Sequence, residues 1–340
     1  LYTPDGGGIG FTSLATNLVA KDTNRRQDVF LRSLTSASMI RLDLNAKGGQ
    51  ANGDAYDFAF SPDGKSVAFT SAATNLVGGD LNGARDIFLE DLATGAVRRV
   101  STGSSGGQSY PFSLGGPTFL PDGKSIAFFS DAPDLVPAGW RRQVVEVYIK
   151  RIGSGIVSRA CTNAYGEQSS GGCFTLYGDY ASRPAFTPNG RSMVMETASD
   201  NILARDDGSR PQVYLKNLAT NAVKPLCTTA AGKPGNGACM QPVLSPDGTR
   251  LLMVTTAPNM GAKNGVPTVV LKDLKSGAVT RVSTNPAGVA PDFASYAPRF
   301  SADGTMIAFL SRATNLVPGG VVSPSPYYQI PNIYLVWLKP

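Results

Sequence analysis

The stretch SPDGKSVAFTS, residues Ser61 to Ser71, decides the fold, because both of its halves return five more times along the chain. Its opening turn recurs as TPDG from Thr3, LPDG from Leu120, TPNG from Thr187, SPDG from Ser245 and SADG from Ser301. The third position falls at Asp5, Asp63, Asp122, Asn189, Asp247 and Asp303, spaced by 58, 59, 67, 58 and 56 residues. A period of this length marks a repeat architecture. After each turn comes a short apolar run: IGFTS from Ile9, VAFTS from Val67, IAFFS from Ile126, MVMET from Met193, LLMVT from Leu251 and IAFLS from Ile307.

A second family of runs follows: DVFLRSL from Asp28, DIFLEDL from Asp86, EVYIKRI from Glu146, QVYLKNL from Gln212, TVVLKDL from Thr268 and NIYLVWL from Asn332. β-branched and aromatic residues alternating with others, bounded by Gly, Pro, Asn and Asp, are the signature of strands. A third strand ends the unit, as in VRRVST from Val97 and VTRVST from Val279. A fourth precedes the turn, as in YDFAFS from Tyr56 and APRFS from Ala297. The predicted fold is all-β: a six-bladed β-propeller of four-stranded antiparallel blades, in which radial repetition buries each sheet face against the next. A solenoid of sheets is the alternative. A single domain over residues 1–340 is expected, with blades at about 1–46, 53–102, 109–163, 180–229, 239–284 and 293–340.

The 38 Gly and 24 Pro among 340 residues agree with many turns and few helices. The net charge of +6 is spread along the chain with no basic run, so no specific nucleic-acid partner is expected. Histidine is absent, which excludes His-based triads, His general bases and His-ligated metals. No apolar run reaches the roughly 18 residues of a transmembrane helix. The start at Leu1 rather than Met fits a removed leader or a trimmed chain.

The unit SPDGKSVAF, ATNLV, DIFLEDLATG resembles the repeat of TolB-like (WD40-like) six-bladed propellers over nearly the whole chain. The resemblance implies the fold. Similar repeats occur in periplasmic scaffold proteins, in the propellers of prolyl-oligopeptidase-like enzymes and in other secreted proteins. The chain is expected to lack TolB's extra N-terminal domain and the peptidases' hydrolase domain.

Features present in every unit are read as architecture, and those confined to one or two as candidates for function. The polar residue of the ATNLV segment, at Asn17, Asn75, Asp134, Asn201, Asn259 and Asn315, is expected to be a turn cap. The pattern D-x-N-x-x-x-D occurs only twice, at Asp22, Asn24 and Asp28 and at Asp80, Asn82 and Asp86. Its oxygens could ligate calcium, although it fails the EF-hand consensus; the competing reading is a polar turn followed by a strand cap. Cys161 with Cys173 and Cys227 with Cys239 share one spacing in equivalent links. They read as two local disulfides and hence as a periplasmic or extracellular, oxidising location, whereas a four-cysteine zinc site normally needs closer pairs. Trp140 with Arg141 and Arg142 could stack on a sugar or hold an anion, or cover a blade edge. Tyr327 and Tyr328 offer a contact surface in a Pro-rich loop, or simple packing. All these residues fall in the longer, variable loops joining a unit's second strand to its third (B to C) or one unit to the next (D to A), which share one face of the propeller, opposite the short repeated turns.

The leading expectation is a secreted or periplasmic, non-enzymatic propeller that binds a protein or glycan partner through that loop face, with calcium as a candidate stabiliser. A second is a polysaccharide-active enzyme, a hydrolase or a lyase without a histidine base, with Asp54 and Asp57 as the nearest carboxylate pair. A third is a matrix or filament subunit. The first and last units look unfinished, so self-association by strand pairing at their edges is a further expectation.

Overall fold

The computed structural model describes residues 1–109, 113–136, 144–173, 183–203, 210–319 and 331–338. Their strands form six antiparallel sheets, the blades of a six-bladed β-propeller. Blade 1 holds β1 (Gly8–Ser13), β2 (Asp28–Ser33) and β3 (Met39–Arg41). Blade 2 holds β4 (Ala55–Phe60), β5 (Ser66–Ser71), β6 (Asp86–Asp91) and β7 (Val97–Arg99). Blade 3 holds β8 (Ser113–Phe119), β9 (Ser125–Ser130), β10 (Glu146–Arg151) and β11 (Val157–Arg159). Blade 4 holds β12 (Ala185–Phe186), β13 (Ser192–Thr197), β14 (Gln212–Asn217) and β15 (Val223–Pro225). Blade 5 holds β16 (Cys239–Leu244), β17 (Arg250–Thr255), β18 (Thr268–Asp273) and β19 (Val279–Arg281), and blade 6 holds β20 (Ser295–Phe300), β21 (Met306–Ser311) and β22 (Asn332–Trp337). Each is a meander of sequential neighbours. Blades 1 and 6 have three strands among the described residues. On β22, Ile333, Leu335 and Trp337 are exposed.

The chain divides into two compact units, Leu1–Thr162 with Tyr180–Pro184, and Asn163–Asp179 with Ala185–Pro340. Within the first unit, the alternation of β6 splits its apolar residues between two cores. Phe88 packs with Val29, Leu42 and Phe69 between blades 1 and 2, and Ile87 and Leu89 pack with Phe128 and Tyr148 between blades 2 and 3. The second unit repeats this, with Val213, Leu251 and Met253 between blades 4 and 5 and Val254, Ile307 and Phe309 between blades 5 and 6. Directly opposed aromatic pairs recur at one register: Phe11 on Phe30, Phe69 on Phe88, Phe128 on Tyr148 and Phe309 on Tyr334, with centroids 5.5–6.3 Å apart. Such cross-strand pairs stabilise a sheet where β-branched and aromatic side chains fill the pleated face.

The repeated turn explains its own sequence. Ser61 Oγ donates to Asp63 Oδ1 at 2.6 Å, while Lys65 N donates to the same carboxylate oxygen at 3.1 Å and Ser66 N to Ser61 Oγ at 2.9 Å. Gly64 stands at φ 69°, a left-handed conformation that a side chain would strain. Asn75 does more than cap a turn. Its Oδ1 accepts from Asn52 N at 3.0 Å and its Nδ2 donates to Gln50 O at 2.8 Å, so it clasps the link entering its own blade. Asn201, Asn259 and Asn315 make the same pair of bonds.

Candidate functional site

The D-x-N-x-x-x-D segments lead into β2 and β6, and in each the carboxylates meet an arginine from the next strand, β3 or β7. In blade 2, Arg99 Nη2 lies 3.4 Å from Asp80 Oδ2 and its Nε 3.4 Å from Asp86 Oδ2, with all three side chains at least nine-tenths buried. Ser101 Oγ donates to Asp86 Oδ1 at 2.5 Å, and Gln108 Nε2 donates to Asp80 Oδ1 at 2.8 Å and to Asp86 Oδ2 at 3.2 Å. Asn82 turns its amide NH2 toward Asp86 Oδ2, at 3.3 Å, and its Oδ1 accepts from Ala84 N. Burial pushes the Asp86 pKa up, opposed by the Ser101 bond and then by Arg99. Blade 1 is built alike: Arg41 Nη1 lies 3.5 Å from Asp22 and 3.1 Å from Asp28, and Asn24 Nδ2 donates to Asp28 Oδ1 at 2.8 Å. In blade 3, Arg159 pairs with Glu146. A guanidinium therefore supplies the positive charge between these acids. Among the described residues no group of three or more Cys, Asp or Glu is arranged to hold a metal ion.

A second series lies four residues before the first residue of the last five repeated turns, on or just before the first strand: Asp57, Gly116, Arg183, Gln241 and Ala297. In the first unit, Gly116 N donates to Asp57 Oδ2 at 3.4 Å, and Arg183 Nη2 donates at 2.6 Å to the carbonyl of Phe58, the neighbour of Asp57. The guanidinium of Arg85 lies 4.0 Å over the Tyr56 ring. Asp54 serves the opposite neighbour: its Oδ1 accepts from Gln27 N at 3.0 Å in blade 1, so the two carboxylates are tied to different blades. Gly115, at φ 123°, has space for no side chain, since a Cβ there would sit 2.8 Å from Asp57 Oδ2.

In the second unit, Gln241 N donates to Glu196 Oε2 at 2.8 Å, and Ala297 N donates to Gln241 Oε1 at 2.7 Å. Gln241 and Ala297 hold φ values of 51° and 50° where the pairing of β16 with β17 and of β20 with β21 slips. Left-handed non-glycine residues at a bulge cost of order 1–3 kcal/mol each and gather at functional sites. Sequence reading singled out Asp57 but missed Arg183, Glu196 and Gln241. The fixed offset from the turn was the signal that could have found Arg183 and Gln241.

Cys227 and Cys239 form a disulfide with a Cα–Cα distance of 5.9 Å, and Cys161 and Cys173 are disulfide-bonded too, so no cysteine is free. Two disulfides fit an oxidising compartment. Trp140, Arg141, Arg142, Tyr327 and Tyr328 lie outside the described residues. No helix among the described residues is long and apolar enough to cross a membrane.

No family model matches the chain. Dipeptidyl-peptidase 5 of Porphyromonas gingivalis is 30% identical over 99 residues, a stretch covering 29% of this chain and 13% of that enzyme, so the match reaches only a small part of the relative. TolB from Acinetobacter baumannii is 20% identical, with a TM-score of 0.49, over 91% of this chain and 59% of that one. The β-propeller domain of the Trilobed protease from Pyrococcus furiosus covers 99% of this chain and 80% of its own at a TM-score of 0.57 and 8% identity. The curated relative is a peptidase, which overturns the expectation of a non-enzymatic binding propeller. The chain has the TolB-like propeller fold.

Proposed function

We propose that this chain is the propeller of an enzyme that acts on peptides, and that Asp57 and Arg183 help to hold the substrate. The observation that carries the reading is the 30% identity to a dipeptidyl-peptidase over 99 residues. The first unit supplies matching chemistry, because a carboxylate attracts the terminal ammonium of a peptide and a guanidinium its carbonyl or carboxylate oxygens. Asp57 accepts one long bond, from Gly116 N at 3.4 Å, which leaves it acceptor capacity for a ligand. The disulfides support work in the periplasm or outside the cell.

The test uses the full polypeptide that carries this chain, a panel of short peptides and dipeptidyl arylamides, and Asp57→Asn and Arg183→Gln variants. Peptide cleavage with KM raised about tenfold in each variant, worth about 1.4 kcal/mol of binding, is the expected result. Shortening of acidic oligosaccharides with peptides left intact would overturn the reading in favour of a polysaccharide-active enzyme. Peptide cleavage with KM unchanged in both variants would overturn the roles of Asp57 and Arg183.

A further inference from the structure

The third strands of blades 2 to 5 contain one position at a common register. Glu90, Lys150, Lys216 and Lys272 stand opposite Val97, Val157, Val223 and Val279 of their fourth strands. Three of the four are lysines, and each sends its buried ammonium into backbone carbonyls. Lys150 Nζ donates to Thr102 O at 2.9 Å, Thr102 Oγ1 at 2.8 Å and Gly103 O at 3.1 Å in the loop leaving blade 2. Lys272 Nζ donates to Thr228 O at 2.7 Å, Thr228 Oγ1 at 3.1 Å and Gly277 O at 3.2 Å, and Lys216 Nζ to Asn163 O at 3.0 Å and Asn221 O at 3.4 Å. The fold thus builds a cradle of oxygens for a cation at these interfaces.

Between blades 1 and 2 the loop is the same, but the register that holds a lysine elsewhere holds an acid. Leu44 N donates to Leu42 O and Asn45 N to Gly49 O, as Thr102 N does to Val100 O and Gly103 N to Gly107 O. Leu44 and Asn45 therefore occupy the places of Thr102 and Gly103. At the register of those lysines stands Glu90, 7% exposed, whose Oε2 has no hydrogen-bond partner among the described residues. Beside it, Asp43 is fully buried where blades 2 and 5 carry Ser101 and Ser283. Like those hydroxyls, it takes an amide of an earlier strand of its blade, with Val29 N donating to Asp43 Oδ1 at 3.1 Å, and its carboxyl also hydrogen-bonds to Asp28, as Ser101 does to Asp86. Arg41 faces Asp22 and Asp28. Two lysine- or serine-type positions have thus become carboxylic acids at one interface. Burial, then the charge of Asp43, pushes Glu90 up to about 8, and no basic group is among the causes acting on it.

We propose that the interface of blades 1 and 2 binds a calcium ion through the carboxylates of Glu90 and Asp43 and the loop carbonyls of Leu44 and Asn45. Calcium fits because it is a hard cation that takes carboxylate and carbonyl oxygens together in irregular geometry, completing its six to eight ligands with water. A divalent charge also suits acids that outnumber their single arginine: with Asp22, Asp28, Asp43 and Glu90 ionised, Arg41 leaves three negative charges uncompensated.

The test starts from chelator-treated protein, with CaCl2 or KCl added, read by calorimetric titration and by thermal melting. The wild type should bind one calcium ion and gain about 3 °C or more in melting temperature at millimolar CaCl2. Glu90→Gln should bind at least about tenfold more weakly. Glu90→Lys should supply the ammonium that the other interfaces carry: it should melt above the calcium-free wild type and give no response to calcium. No calcium binding by the wild type, a response to KCl only, or an undiminished calcium response in Glu90→Lys would each overturn the proposal. So would a response abolished by Asp80→Asn and kept by Glu90→Gln, which would place the ion in the Asp80, Asn82 and Asp86 loop.

Discussion

Replacing Arg99 by methionine would remove the one guanidinium that faces Asp80 and Asp86 while keeping most of the side chain's volume. Breaking a buried ion pair from one side typically costs 3–5 kcal/mol, because the other charge stays buried and uncompensated. Two observations place Arg99→Met at the lower end. The contacts are 3.4 Å, longer than the 2.7–2.9 Å of tight charge-assisted bonds, and Asp86 keeps its donors Ser101 and Gln108. The expected loss is about 3 kcal/mol. With an unfolding entropy of roughly 2.1 cal/mol/K per residue, this lowers the melting temperature by about 4 °C if the 340 residues melt together, and by about 9 °C if the first unit melts alone. Calorimetry distinguishes the two. Adding Asp80→Asn to Arg99→Met should recover about 1 kcal/mol, because one of the stranded charges is gone. A loss below about 1 kcal/mol for Arg99→Met, or strict additivity in the double variant, would refute the view that the guanidinium holds this cluster together.

Two further predictions follow from groups with opposite behaviour. Cys227→Ala with Cys239→Ala opens a loop with a sequence separation of 12 and should cost about 3 kcal/mol in urea unfolding, an expectation that fails if the midpoint is unmoved. Burial and the neighbouring charge of Asp28 push Asp43 up to about 8, and burial and Asp43 push Glu90 up to about 8, against ordinary values of 3.8 and 4.5, so between those limits the folded state binds more protons than the unfolded one. In chelator, stability should therefore fall as pH rises from about 4 to about 8 and level off above, with a shallower fall in Asp43→Ser. The turn acids Asp247 and Asp303, lowered to about 2, act only at the other end, where stability drops as pH falls through that value. Urea midpoints across this range, in both proteins, check the sign; a rise between about pH 5 and 8 refutes it.

The repeat was legible because its determinants are local. Ser61, Asp63 and Gly64 close their turn among themselves, and the alternation of β6 reports its two faces within six residues. The site was less legible because its partners are set by register. Nothing near Asp80 announces Arg99, which arrives by the pairing of β6 with β7, and nothing near Asn75 announces that it clasps residues Gln50 and Asn52. Glu90 lies between these cases. Its place in the series with Lys150, Lys216 and Lys272 is written in the sequence, whereas its burial and its meeting with Asp43 are products of packing. Each substitution alone would put an acid in a low-dielectric interface, where an unpaired charge is costly. That both occur at one interface, one on β6 and one just after β3, beside the loop whose counterparts hold an ammonium, is what turns a defect into a design. A bound cation satisfies both acids at once, and no single-residue reading of either would have suggested it.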